Sequence, residues 1–200
     1  MDIADVTGHS IDEIDVARAR EYGLLATLLS HNPDAQLLSA LGGLRGDASP
    51  IGLAHAALAE AAWQSSEEGV AREYFALFVG LQDATLLPYA SHYLAGTLYG
   101  RPLARIRDTL QSLGIEKAPE RVEPEDHAGF VCEVMAGLVS GDIRAPGGTD
   151  RAFFETYLAP WIGRFFMDLE TAKSADFYRS VGLLGRTFIE IEAEAFALSA

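Results

Sequence analysis

Between Arg151 and Leu169, seven large apolar side chains recur at steps that place them on one helical face: Phe153, Phe154, Tyr157, Leu158, Trp161, Phe165 and Phe166. An aromatic face of that width belongs in a core, so other elements must supply apolar surfaces to cover it. They do so with helical periods. Ile11, Ile14, Ala17, Leu24, Leu25 and Leu28 predict a core-facing helix over Ile11 to Leu29, with Glu21 the one interruption and Asn32-Pro33 the stop. A short helix is expected from Asp34 to Leu41. Ser49-Pro50 reads as N-cap plus first-turn proline for a helix through about Glu60.

In VAREYFALFVG, Val70, Tyr74, Leu77 and Phe78 share a face, and Gly80 suits a C-cap. Further helices are expected over Ser91 to Tyr99, closed by Gly100, over Pro102 to Leu113, closed by Gly114, and from EPEDH through AGFVCEVMAGLVS to Gly141. Ala145-Pro146-Gly147-Gly148 is a loop, after which Asp150 can cap the aromatic helix. The last stretch, Ala175 to Ala197, contains IEIEAEAF, whose alternation also suits a strand. Glu and Ala are poor strand formers and no other segment offers a strand partner, so a helix is predicted here too. The expectation is an all-α, single-domain helical bundle spanning residues 1–200, with a hinge near 114–123.

Composition narrows the function. Twenty-nine acidic against 15 basic residues give a net charge of −14, which disfavours nucleic acid and anionic lipid and favours a cationic partner. One cysteine, Cys132, excludes an intrachain disulfide and a cysteine-rich zinc site, and fits a reducing compartment. The amino end, MDIADVTGHSIDEID, is acidic where a secretory leader is basic and then apolar. Ala84 to Gly100, the longest stretch free of Asp, Glu, Lys and Arg, falls short of the roughly 20 apolar residues a membrane span needs. A cytoplasmic protein without stable membrane insertion is expected.

Two segments carry chemistry beyond packing. EPEDH, Glu123 to His127, sets three carboxylates and an imidazole around Pro124. It reads as an acidic first helical turn, with Pro124 at the first position and Glu125 and Asp126 against the helix dipole. His127 gains nothing from that dipole. Glu123, Asp126 and His127 could instead converge on a metal, but His9, His31, His55 and His92 stand alone, so no metal site is expected. Asp126 could orient His127 as a proton acceptor, although no nucleophile motif accompanies it. Carboxylates also match the guanidinium fork of an arginine on a partner. The residues alone leave these readings open. LPYASHYL, Leu87 to Leu94, reads as a buried loop or as the lining of a peptide groove. Neither GxxxxGK[ST] nor GxGxxG occurs, so no cofactor is expected.

Taken in order, EYFALFVG (Glu73 to Gly80), LPYASHYLAG (Leu87 to Gly96), PLARIRDTLQSLGI (Pro102 to Ile115), EPEDH, LAPW (Leu158 to Trp161) and DFY (Asp176 to Tyr178) resemble the TorD/DmsD/NarJ group of redox-enzyme maturation proteins. The pairing of LPYxS with ExxDH some 35 residues later is the most specific part. Tyr157 departs from the pattern, where the family often has histidine, and residues 1–70 carry only a generic helical pattern. The resemblance implies an all-helical chaperone without catalytic turnover, monomeric or domain-swapped through the connector before Glu123. Its implied partner is a molybdopterin oxidoreductase precursor, bound through its twin-arginine leader, its apo-subunit or both, until cofactor insertion. Leader contacts then map onto Glu123, Asp126 and His127, with Leu87, Tyr89 and Ser91 on the same surface. The alternative is a metal-dependent or acid/base enzyme on an all-α scaffold using Asp126 and His127.

Overall fold

The computed structural model describes residues 12–80, 86–118 and 122–198. Among these, every regular element is helical. The order is α1 (Glu13–Ser30), α2 (Ala35–Gly42), α3 (Pro50–Gln64), α4 (Glu67–Tyr74), α5 (Ala90–Ala95), α6 (Arg101–Ser112), α7 (Ala128–Ser140), α8 (Thr149–Phe153), α9 (Ile162–Thr171) and α10 (Phe177–Leu198). Helix α4 runs on into a π-helical turn, Phe75–Val79, and α8 into another, Phe154–Leu158. The middle of the expected hinge, residues 119–121, and Ile11 of the first expected helix lie outside the described residues.

Local signals set most of the boundaries. Asp34 accepts from the amide of Leu37 and Ser49 from that of Gly52, so α2 and α3 start where short polar caps precede apolar runs. IEIEAEAF is helical, as its Glu and Ala content predicts. Two expectations about helix bounds are corrected. The aromatic run from Arg151 is not one helix: it breaks at Ala159–Trp161, where Pro160 lacks the amide a continuous helix needs. The helix expected to end at Gly100 stops at Gly96, whose φ of 70° is left-handed and terminates the turn. Gly80 does close its helical run as expected, with φ −54° and its amide on Phe75 O, which completes the π turn.

Helices α1 and α7 pack together, and α10 packs on α9, α3, α1 and α4. On α1 the inward stripe is Tyr22, Leu25, Ala26 and Leu29, while Ile14, expected inside, is 66% exposed. Arg18, one turn before Tyr22, sends Nε and Nη2 to the two carboxylate oxygens of Glu192 at 2.8 and 2.9 Å, and Tyr22 donates its hydroxyl to Glu192 at 2.9 Å. A charged residue thus holds an inward position, because its partner on α10 is buried with it. The aromatics are core, as expected: Phe153, Phe154, Trp161, Phe165 and Phe166 are all buried. Helices α9 and α10 approach so closely that a Cβ on Gly185 would lie 2.2 Å from the Phe166 ring. Cys132 is fully buried, and burial pushes its thiol up to about 12.

The start of α10 is tied to the end of α4. The Glu73 carboxylate accepts from the amides of Asp176 (2.8 Å), Phe177 (3.1 Å) and Tyr178 (2.8 Å). One side chain therefore satisfies three of the donors that open a helix, and places its charge at the positive end of the dipole. It also joins EYFALFVG to DFY, two segments about a hundred residues apart in the chain.

Candidate functional site

LPYAS and EPEDH meet as extended backbone. Tyr89 and His127 form an isolated antiparallel bridge, in which Ala90 N–H donates to Asp126 O at 2.9 Å and Ala128 N–H to Pro88 O at 2.8 Å. This pairing corrects the reading of EPEDH as a first helical turn. Pro124 instead sits in a tight turn closed by the His127 amide on Pro124 O (3.1 Å), and α7 begins only at Ala128. The bridge takes the backbone groups that a helix through Glu125 and Asp126 would have used.

His127 is the N-cap of α7. Its Nδ1 accepts the Gly129 amide at 3.1 Å, which requires an unprotonated Nδ1, and its ring meets Tyr89 edge-on at 5.2 Å. This is the local role that the dipole argument did not supply. Asp126 caps a different helix from the one it precedes. Its Oδ2 accepts the Ser91 amide (2.9 Å) in the first turn of α5, and Ser91 Oγ in turn accepts the amide of Tyr99 (3.1 Å). Asp126 is 0% exposed, yet among the described residues Oδ1 has no hydrogen-bond partner. A buried carboxylate oxygen left dry is costly, and the few that persist in folded proteins mark places where a ligand or water completes the set.

Around Asp126 the other acids are held by neighbours. Glu123 accepts the Tyr89 hydroxyl. Burial and then the nearby Glu123 charge push the Tyr89 phenol well above its ordinary range, so it stays a donor. Arg107 on α6 grips Glu125 through Nε and Nη2 at 2.9 and 2.8 Å. Burial acts against the charged form of Glu125, but this hydrogen bond prevails and holds its carboxyl below the usual value.

Two clefts open on either side of Asp126. The smaller, about 140 Å³, is lined by Tyr89, Ser91, Leu98, Tyr99, Val122, Glu123, Pro124 and Asp126. The larger, about 440 Å³, lies toward α6 and the π turn that follows α8, with Leu94, Arg101, Arg105, Ile106 and Tyr157 on its wall. The Tyr157 hydroxyl donates to Arg105 O at 3.1 Å and pairs with Thr109, so a phenol ties this turn to α6. Large apolar side chains face solvent beside the clefts: Leu94, Leu98, Tyr99 and Val122.

Of the residues singled out from sequence, Tyr89, Ser91, Glu123 and Asp126 come together on the smaller cleft, with His127 behind the Tyr89 ring. Leu87 is half-buried and on the wall of neither cleft. Leu98, Tyr99 and Val122 were missed. Tyr99 has φ 69°, the left-handed region that a bulky residue occupies only at a cost of about 1 kcal/mol or more. Only its neighbourhood with Gly100 hinted at unusual backbone. Among the described residues no group of three His, Cys, Asp or Glu side chains could hold a metal ion, and no helix is long and apolar enough to cross a membrane.

Known proteins resemble this chain in sequence and in fold. The chain is 28% identical over 120 residues to a DmsD candidate Tat proofreading chaperone from Haemophilus influenzae, a match covering 59% of this chain and 57% of that one. It is 24% identical over 136 residues to the chaperone protein TorD of Vibrio cholerae, covering 64% and 62% of the two chains. These matches thus span about three-fifths of the curated relatives' length. A solved structure of a candidate redox enzyme maturation protein from Archaeoglobus fulgidus superposes with a TM-score of 0.57 over 95% of this chain and 99% of that one, and at 18% identity it speaks for the fold. The sequence profile of the nitrate reductase delta subunit family matches residues 45–167, more than half the chain, including both LPYAS and EPEDH. By its sequence and its all-helical fold, the chain belongs to the nitrate reductase delta subunit family, the NarJ/TorD group.

Proposed function

We propose that this protein is a cytoplasmic chaperone that binds the precursor of a molybdopterin oxidoreductase subunit through its basic, apolar N-terminal leader. In this reading it holds the subunit until cofactor insertion is complete. The observation that carries it is the orphaned Oδ1 of Asp126, buried at the junction of two clefts and beside Glu123. A twin-arginine leader offers guanidinium donors for that oxygen and an apolar stretch for Leu94, Leu98, Tyr99 and Val122. The net charge of −14 steers such a segment inward, while the apolar contacts supply most of the affinity. The names of the relatives, Tat proofreading chaperone and chaperone protein TorD, support the same class and not a catalyst. In this role residues 1–200 act as one helical domain, consistent with the Arg18–Glu192 and Glu73–Tyr178 ties between its early and late helices.

An acid/base enzyme built on Asp126 and His127 fits less well, because His127 Nδ1 is committed to the α7 cap. The test is calorimetric titration of a synthetic twin-arginine leader peptide into the wild type and into Asp126→Asn, which keeps an acceptor for Ser91 N–H. The expected result is binding by the wild type and a loss of about tenfold in the variant. Equal affinity for both removes Asp126 from the site, and binding by neither removes leader recognition.

A further inference from the structure

The two clefts that share Asp126 have opposite charge. Among the described residues the smaller is lined by the acids Glu123 and Asp126 and by no basic side chain. The larger carries Arg101 and Arg105, with Asp126 as its single acid. Resting on the leader-binding reading, we propose that the docked segment must also present an acidic side chain close in sequence to its basic one, and that Arg101 and Arg105 receive it.

Arg101 and Arg105 lie one turn apart on α6, so their side chains rise from the same face. Both are exposed, and among the described residues neither guanidinium has an ion-pair partner. What sets these two apart is that both line one cleft from successive turns of one helix. Arg107, on the same helix, is gripped by Glu125. The end of α6 that bears Arg101 has no side-chain cap, because Gly100 at the N-cap has none to offer, and the positive end of its dipole adds to the two guanidinium charges. A carboxylate entering this cleft meets two fork-shaped donors over an apolar wall of Leu94, Pro102, Ile106 and Pro160.

The geometry also sets an order on the occupant. A guanidinium or ammonium group belongs on the Glu123 side and a carboxylate on the α6 side, with Asp126 Oδ1 taking a donor from the chain that passes between them. Because one residue walls both clefts, the two side chains must sit within a few positions of each other. A segment with basic residues on both sides would place a cation against Arg101 and Arg105 and be disfavoured.

The experiment uses three synthetic leader peptides that differ at one position beside the arginine pair, carrying Glu, Gln or Lys there. Each is titrated into the wild type and into the double variant Arg101→Gln/Arg105→Gln, whose replaced side chains are exposed. The wild type is expected to prefer the Glu peptide over the Gln peptide by about tenfold and to bind the Lys peptide weakest; the double variant is expected to lose that ranking. Equal affinity of the wild type for all three overturns the acidic subsite while leaving leader binding intact, as does a ranking that survives in the double variant. Binding of none of the three overturns both readings.

Discussion

Two carboxylates in this protein each cap a helix that is remote in sequence, and the two are used differently. Glu73 closes the start of α10 with three amide bonds. Asp126 closes the start of α5 with one bond accepted at Oδ2 and leaves Oδ1 buried without a partner among the described residues. Glu73 thus acts as a fully satisfied structural joint. Asp126 is a joint with capacity left over, placed where two clefts meet. The same chemistry at a helix terminus therefore yields architecture in one place and, in the proposed function, a binding site in the other, and the difference lies in whether both carboxylate oxygens accept a hydrogen bond.

The largest expected effect breaks the structural joint. Glu73→Ala removes the acceptor for three amides and is expected to destabilise the fold by about 3 kcal/mol in chemical denaturation, with little change in the peptide affinity of the folded fraction. At the other joint the balance should reverse. Asp126→Asn is expected to change stability by no more than about 1 kcal/mol while weakening leader-peptide binding by roughly 1.4 kcal/mol. A variant that lost stability as Glu73→Ala does, with no change in affinity, would make the two joints alike.

Strain sharpens the contrast further. Tyr99, held by Ser91 on the Asp126 side, has left-handed backbone that glycine adopts freely. Tyr99→Gly is expected to raise stability by about 0.5–1 kcal/mol and to weaken peptide binding, since it removes an aromatic wall of the smaller cleft. The smallest effect concerns pH. The carboxyl of Glu125 is held below its ordinary 4.5, so the stabilisation it gains from Arg107 is present above 4.5 and is lost as pH falls through the depressed folded value. Arg107 is half exposed and the pair is screened, so the loss should stay under about 1 kcal/mol. Arg107→Gln should flatten that part of the stability–pH curve.

Much of this was legible in the chain. Caps at Asp34 and Ser49, prolines and helical periods placed most helices within a few residues, because those signals act on backbone a few positions away. Beyond the local stops at Pro160 and Gly96, errors arose where a distant partner intervened. Arg18 faces inward because Glu192 is there to meet it, which no local pattern on α1 reveals. EPEDH looked like a helix start because its proline and acids suit one, but the backbone of Pro88 and Ala90 claims Asp126 and Ala128 first.

The site divides in the same way. Residue types singled out Tyr89, Ser91, Glu123, Asp126 and His127, and four of them share one cleft. Their roles were not readable. His127 caps α7 locally, but that Asp126 caps α5 and that one of its oxygens remains unpaired depend on contacts between segments some 35 residues apart. Sequence alone determined an all-helical chain, an acidic surface and a cluster of polar residues exceeding what packing requires, since these follow from composition and short-range periodicity. Only the tertiary structure decided which carboxylate is consumed by the fold and which is left over, because hydrogen-bond satisfaction depends on every neighbour that folding brings within about 3 Å.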